Sequence, residues 1–219
     1  GFHGTMQELM TDVNFYRASF VAGILERALE NNAVLAGMGA GIVLGGIANT
    51  INIRVVRIMA ERVTAIARVK NIPYDDAFDL VEKMDEGKQE FVTRYFDADV
   101  SDPSIYHVVI NSSHVSREDA TDITVNYAFK HFTPSHTKET ETILRNRLLE
   151  KRAEILLFHL GMGHSYGKVT FRASDTALAV TGTLRNEAEK NRLLETLKKN
   201  REIGRIEETL ETGVFATGV

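Results

Sequence analysis

The alternation of apolar and polar positions along the chain divides it into two stretches of different character. Residues 13 to 30, VNFYRASFVAGILERALE, repeat apolar side chains at helical spacing (Phe15, Phe20, Ile24, Leu25, Leu29), with Arg17, Glu26, Arg27 and Glu30 mostly on the other side, which predicts an amphipathic helix. Asn31-Asn32 ends it. AVLAGMG (33 to 39) then reads as a buried strand running into a glycine loop, and INIRVVRIM (51 to 59), dense in β-branched residues, as a second strand. MAERVTAIARVK predicts a helix, and Pro73 opens a longer one, in which Asp75 and Asp76 favour the positive end of the dipole. A turn-rich break at 97 to 104 precedes the short strand YHVVINSS (106 to 113), and Ser116 is placed to cap a further helix. Strands alternating with helices predict an α/β domain, a parallel sheet with helices on both faces.

After about residue 132 the pattern changes. FTPSHTKETET is polar, carries Pro134 and has little to bury, so 133–140 is expected to be a linker between a domain at 1–132 and another at 141–219. The second part reads as a helix (about 141 to 160), two strand-like runs separated by Asp175-Thr176, a helix over NEAEKNRLLETLKKN and a last strand, RIEETLETG. That order, αββαβ, predicts a small α+β domain with its helices on one face of the sheet.

Composition and charge narrow the function classes. The chain has 219 residues, 43% of them hydrophobic, enough for one large or two smaller cores, and a net charge of −4 with no long basic stripe, which argues against nucleic acid as a partner. It has no cysteine, so a disulfide framework and thiolate metal sites are excluded and the cytoplasm is the expected compartment. No apolar stretch is long enough for a transmembrane segment. The chain opens on Gly1 rather than an initiator Met, and is expected to be a piece of something longer.

The glycine loop NNAVLAGMGAGIVLGG (31 to 46) matches neither of the common phosphate-binding patterns. A Walker loop needs Lys and then Ser or Thr after its last glycine, whereas Gly46 is followed by Ile47, Ala48 and Asn49. The dinucleotide fingerprint wants its third glycine three places after the second, but Gly37, Gly39 and Gly41 fall at every second position. Tight turns and close packing explain the glycines better than a live nucleotide site. The seven histidines show no helical i, i+4 pair with an intervening Glu, so no metal site is expected, and the carboxylates from Asp75 to Glu86 read as a solvated helix face. Arg54, Arg57, Arg62 and Arg68, at a strand-to-helix junction, are the best candidates for holding an anionic ligand, although ordinary surface ion pairs explain them about as well.

The segments AVLAGMGAGIVL, NIRVVRIMAERVTAIARVKNI, DDAFDLVEKMDEGKQEFVTRYF and DADVSDPSIYHVVINSSHVSREDA, from Val34 to Asp122, resemble the cytidylate kinase-like family of nucleoside monophosphate kinases. The aromatic pair, the Asp-Pro turn, the Tyr and the strand ending in Asn-Ser carry the likeness most specifically. The resemblance implies a nucleotide cleft, with ATP and Mg²⁺ as cofactors if a phosphate loop is present in the natural protein, and Gly37, Met38, Gly39, Arg62, Arg68 and Lys88 as ligand-binding positions. Three departures weigh against catalysis by this chain. It contains no G-x-x-x-x-G-K-[ST]; Met38 stands in the turn where the family usually has Arg; and Ala65 and Lys88 replace arginines of the lid helix. Losing one such arginine costs on the order of 10³ in rate. The family's phosphate-loop strand lies mid-sheet, so its absence would leave backbone groups unpaired. Either residues upstream of this chain supply it, or the neighbouring strands close up, or a second copy supplies the pairing. A fragment or degenerate domain stabilised as a homodimer is expected.

The second half, Arg145 to Gly213, resembles a BON domain, on ALAVTGTLRNEAEKNRLLETL with Gly182 at the turn. That likeness implies a binding or association module without catalytic residues. The leading expectation is a non-catalytic protein that binds a nucleotide or other anionic small molecule, or self-associates. The alternative is a kinase for CMP or a similar acceptor whose phosphate-loop segment is missing from this chain.

Overall fold

The computed structural model describes residues 12–213 apart from 31, 38 and 176. The chain falls into two compact units, one formed by residues up to Leu35 together with those from Glu141 onward, the other by Ala36–Thr140. Helix α1 (Val13–Ala28), expected from sequence to belong with the first domain, groups instead with the C-terminal residues. The aromatic contact that ties it there is edge-on, Phe15 against Phe158 at 5.5 Å between ring centroids.

In the Ala36–Thr140 unit a single-turn helix, α2 (Ala40–Val43), precedes β1 (Ile53–Val56), α3 (Met59–Lys70), α4 (Tyr74–Phe96), β2 (Val108–Asn111) and α5 (Arg117–His131). The sequence marks several of these ends. Pro73 stands just before α4, Ser116 caps α5 through its hydroxyl, and Asn71 and Asp97 close α3 and α4 in the left-handed conformation. Strands β1 and β2 pair in parallel, Ile53 opposite Val108 and Val56 opposite Asn111. The core between α3 and α4 consists of Val63, Ala77 and Val81, with Met59, Ile66 and Ile72 packed against it.

Two expectations fail at the ends of this segment of chain. The segment 33–36 is not a strand and Val34 is 95% exposed, because the described partner of β1 is β2 alone and nothing pairs with the upstream segment. Nor are residues 133–140 a loose linker: helix α6 (Pro134–His159) begins inside them. Proline suits a first helical turn, and the polar side chains hold the helix start. Asn49 donates from Nδ2 to the Thr133 carbonyl and accepts the Thr133 N–H, at 2.8 and 2.9 Å. The Thr140 hydroxyl donates to the Ala48 carbonyl at 2.7 Å.

The C-terminal unit follows the αββαβ order: the later turns of α6, then β3 (Val169–Ser174), β4 (Ala177–Leu184), α7 (Glu187–Lys198) and β5 (Arg205–Thr212). Its sheet runs β3-β4-β5, antiparallel between the first two and parallel between the last two. Val169, Phe171, Leu178, Val180 and Leu184 alternate inward and meet Leu157 of α6 and Leu193 and Leu197 of α7 in one buried cluster. The fold is therefore mixed α/β, a small parallel pair of strands among helices followed by a three-stranded mixed sheet with its helix.

Candidate functional site

The glycine turn builds one wall of a hollow in the Ala36–Thr140 unit. Gly39 enters α2 at φ 87° and Gly46 leaves the turn at φ 74°, conformations in which a side chain is strained. Gly41 lies flush on Asn52, so close that any Cβ there would overlap the Asn52 carboxamide. Opposite stands the turn after α4, where Pro103–Ile105 form a 3₁₀ turn capped by Asp102. Between Gly41, Ile42, Gly45 and Gly46 on one side and residues 104–107 on the other lies a cavity of about 320 Å³.

A set of hydrogen bonds fixes the second wall. The backbone N–H of Asn52 donates to Nδ1 of His107 at 2.9 Å, and the His107 N–H donates back to the Asn52 carbonyl at 2.8 Å. The Asn52 side chain donates from Nδ2 to the Ile105 carbonyl at 2.6 Å. Tyr106 donates its hydroxyl proton to the Val100 carbonyl at 2.9 Å. Arg54 donates to that same carbonyl while its guanidinium lies 5.5 Å from the Tyr106 ring centroid. Asp99 accepts the Ser101 hydroxyl and N–H, and Asp102 accepts the Ser104 N–H, which holds both carboxyls below the usual range.

The cationic candidates are arranged differently. Arg62 forms a fork with Asp85 on α4, both bonds 2.6 Å, and Lys88 approaches the same carboxylate at 3.7 Å. The fork lowers the Asp85 pKa and raises that of Arg62. Arg57 binds Glu61 at 2.8 Å; Ser113 donates to the same carboxylate and accepts the Ile58 N–H. Together Arg57 and Ser113 depress the Glu61 pKa. Arg68 shares with Arg57, Glu61 and Thr64 an open hollow of about 370 Å³ on the outer face of α3.

The sequence-derived site residues are thus not brought to one place. Gly37 and Gly39 belong to the glycine turn but do not line its cavity, and Met38 lies outside the described residues. Arg62 and Lys88 converge on Asp85, and Arg68 lines the second hollow. Asn52, Ser104 and His107 were not among the sequence-derived site residues. The legible signal was the Gly41 run together with the Asp-Pro-Ser-Ile-Tyr-His turn, which meet only after folding.

A model of the cytidylate kinase-like family matches residues 2–114, just over half of the chain. The chain belongs to the cytidylate kinase-like family. The match runs through α1 and across the boundary between the two compact units, and ends just after β2. No curated protein and no solved structure matches the chain. For the ATP and Mg²⁺ that cytidylate kinase-like membership suggests, the glycine turn is a poor fit as a triphosphate cradle: it runs on into Ile47 and Ala48, and among the described residues no Lys or Arg lines its cavity. No helix among the described residues is long and apolar enough to cross a membrane.

Proposed function

We propose that this chain is a cytidylate kinase-like module that binds a nucleotide-like small molecule without transferring phosphate by itself, and that it acts as a self-associating protein. One observation carries the reading. The glycine turn and the Asp-Pro turn, both within segments that resemble the family, face each other across the 320 Å³ cavity, a volume at the lower end of small-molecule sites. Its walls offer backbone groups, the Ser104 hydroxyl and the His107 ring, a set suited to a base or sugar. Phosphate would need guanidiniums, and Arg62 is already engaged by Asp85. The C-terminal αββαβ unit serves in this reading as a BON-like binding or association module, and the cysteine-free chain works in the cytoplasm.

A second reading, favoured by the family match itself, is a nucleoside monophosphate kinase that moves the γ-phosphate of ATP to CMP or a similar acceptor, with its phosphate loop contributed by sequence outside this chain. Calorimetric titration with ATP, CMP and a bisubstrate analogue at low salt separates the readings. Binding of CMP alone supports the non-catalytic module. Micromolar binding of the bisubstrate favours the kinase. A folded sample that binds none of the three sinks both ligand readings and leaves association.

A further inference from the structure

We infer that His107 is a proton-operated latch on the glycine-walled cavity, closing its wall only while the imidazole is neutral. A backbone N–H has no lone pair to offer, so in the 2.9 Å bond from Asn52 the acceptor is Nδ1 of His107. The single ring proton therefore sits on Nε2. The return bond from the His107 N–H to the Asn52 carbonyl completes a two-way tie between the residue before β1 and the residue before β2. The same Asn52 reaches Ile105 with its side chain and supports Gly41 from beneath. Both cavity walls thus meet at one asparagine, and that asparagine is pinned by a titratable ring.

Protonation places a second N–H on the ring, facing the N–H of Asn52, and the bond cannot survive. The groups around the ring do not offset the loss. From α5, His131 stands edge-on at 5.3 Å and Tyr127 at 6.3 Å between centroids. The glycine turn contributes no charged side chain to the cavity, and Arg54 is held over the neighbouring Tyr106. Among the described residues no carboxylate pairs with His107. Below the titration the wall loosens; above it the wall is closed. The effect on ligand rests on the reading of this cavity as a binding site, whereas the latch itself does not.

The test uses the ¹⁵N-labelled full chain. Long-range ¹H–¹⁵N spectra report which ring nitrogen of His107 carries the proton, and hydrogen exchange of the Asn52 amide, corrected for the intrinsic effect of pH, is followed from roughly pH 8 to 5.5. The latch requires the Nε2–H form and a protection that falls about tenfold in step with the titration of His107, the factor for loss of about one hydrogen bond. In His107→Asn a carboxamide oxygen takes the place of Nδ1 without titrating, so protection should stay flat. An Nδ1–H ring, constant protection in the unaltered chain while His107 titrates, or the same fall in the variant would each overturn the proposal. Calorimetry with CMP at the two pH limits adds the functional arm. Weaker binding at the acid limit, in step with the fall in Asn52 protection, supports the latch at a working site. If CMP binds at neither limit, the ligand reading fails, and the exchange result still decides the latch.

Discussion

Arg62 of α3 grips Asp85 of α4 with both arms of its guanidinium, two hydrogen bonds of 2.6 Å that clamp the helices over their small core of Val63, Ala77 and Val81. The same arginine is one that the family resemblance would assign to a ligand. Its fork is filled by a carboxylate of its own chain, which leaves it fewer donors for a phosphate.

The pair has a pH signature. Asp85 is held below the usual carboxylate range, first by the hydrogen bonds from Arg62 and then by the charges of Arg62 and Lys88. A carboxyl depressed in the folded state contributes stability that is complete above its unfolded value, near 3.9, and is lost as pH falls through the folded value. Both side chains are partly exposed, which limits the contribution to about 1 kcal/mol. Asp85→Asn should therefore lower the urea midpoint at neutral pH by an amount worth about 0.5–1 kcal/mol and narrow the gap to the unaltered chain near pH 3. Equal midpoints at neutral pH would show that the fork contributes nothing net.

The glycines divide by what surrounds them. Alanine at Gly41 must displace Asn52 from its bonds to Ile105 and His107, so Gly41→Ala should cost about 1–3 kcal/mol. Gly87, inside α4, has open space around it, and Gly87→Ala should stabilise by about 1 kcal/mol through helix propensity alone. Thermal melts of the two variants should move in opposite directions. A stabilised Gly41→Ala would remove the close approach on which the shape of the cavity depends.

In the C-terminal unit, Gly182 of β4 sits at φ 128°, and a Cβ there would come within 2.9 Å of Val169 Cα and overlap the Lys168 carbonyl. Gly182→Ala combines a strained backbone with a clash against the paired strand and should cost about 3 kcal/mol. Leu193→Ala, which empties a fully buried position between α7 and the sheet, should cost about 2–5 kcal/mol. Chemical denaturation followed in this unit should register both. A near-neutral Leu193→Ala would mean that the cluster collapses around the lost volume.

Periodicity made α1, α3, α4, α5, α7 and all five strands legible, because each carries its own capping residue or its own alternation: Ser116 before α5, Asn186 before α7, and Val169, Phe171, Leu178 and Val180 facing one core. The failures arose where a local pattern lacked a partner. Residues 33–36 have strand composition but, among the described residues, nothing to pair with, and the polar run at 133–140, read as a linker, is tied to Asn49 through the Thr133 backbone and to Ala48 through the Thr140 hydroxyl as it enters α6. The cavity was illegible for a related reason. Gly41, Asn52 and His107 are far apart in sequence, and only the parallel pairing of β1 with β2 sets Asn52 beside His107.

That pairing leaves work unfinished. Parallel sheets are ordinarily wide and covered on both faces, and two strands alone are marginal in water. Here Val55 of β1 is 63% exposed, Val109 of β2 is 46% exposed, and α5 has no buried residue, with Phe129 exposed to 81%. An open strand edge beside apolar side chains is a template for a second chain. If a second copy fills that role, sedimentation of the chain should show a dimer dissociating at micromolar concentration. Val55→Lys, which sets a charge at the edge, should then give a monomer with unchanged circular dichroism. Phe129→Ser, on the exposed face of α5, should weaken the dimer without lowering the melting temperature of the isolated monomer by more than about 0.5 kcal/mol in equivalent stability. A chain that sediments as a monomer at about 100 μM, roughly a hundred times the concentration at which a micromolar dimer forms, would remove self-association from its function.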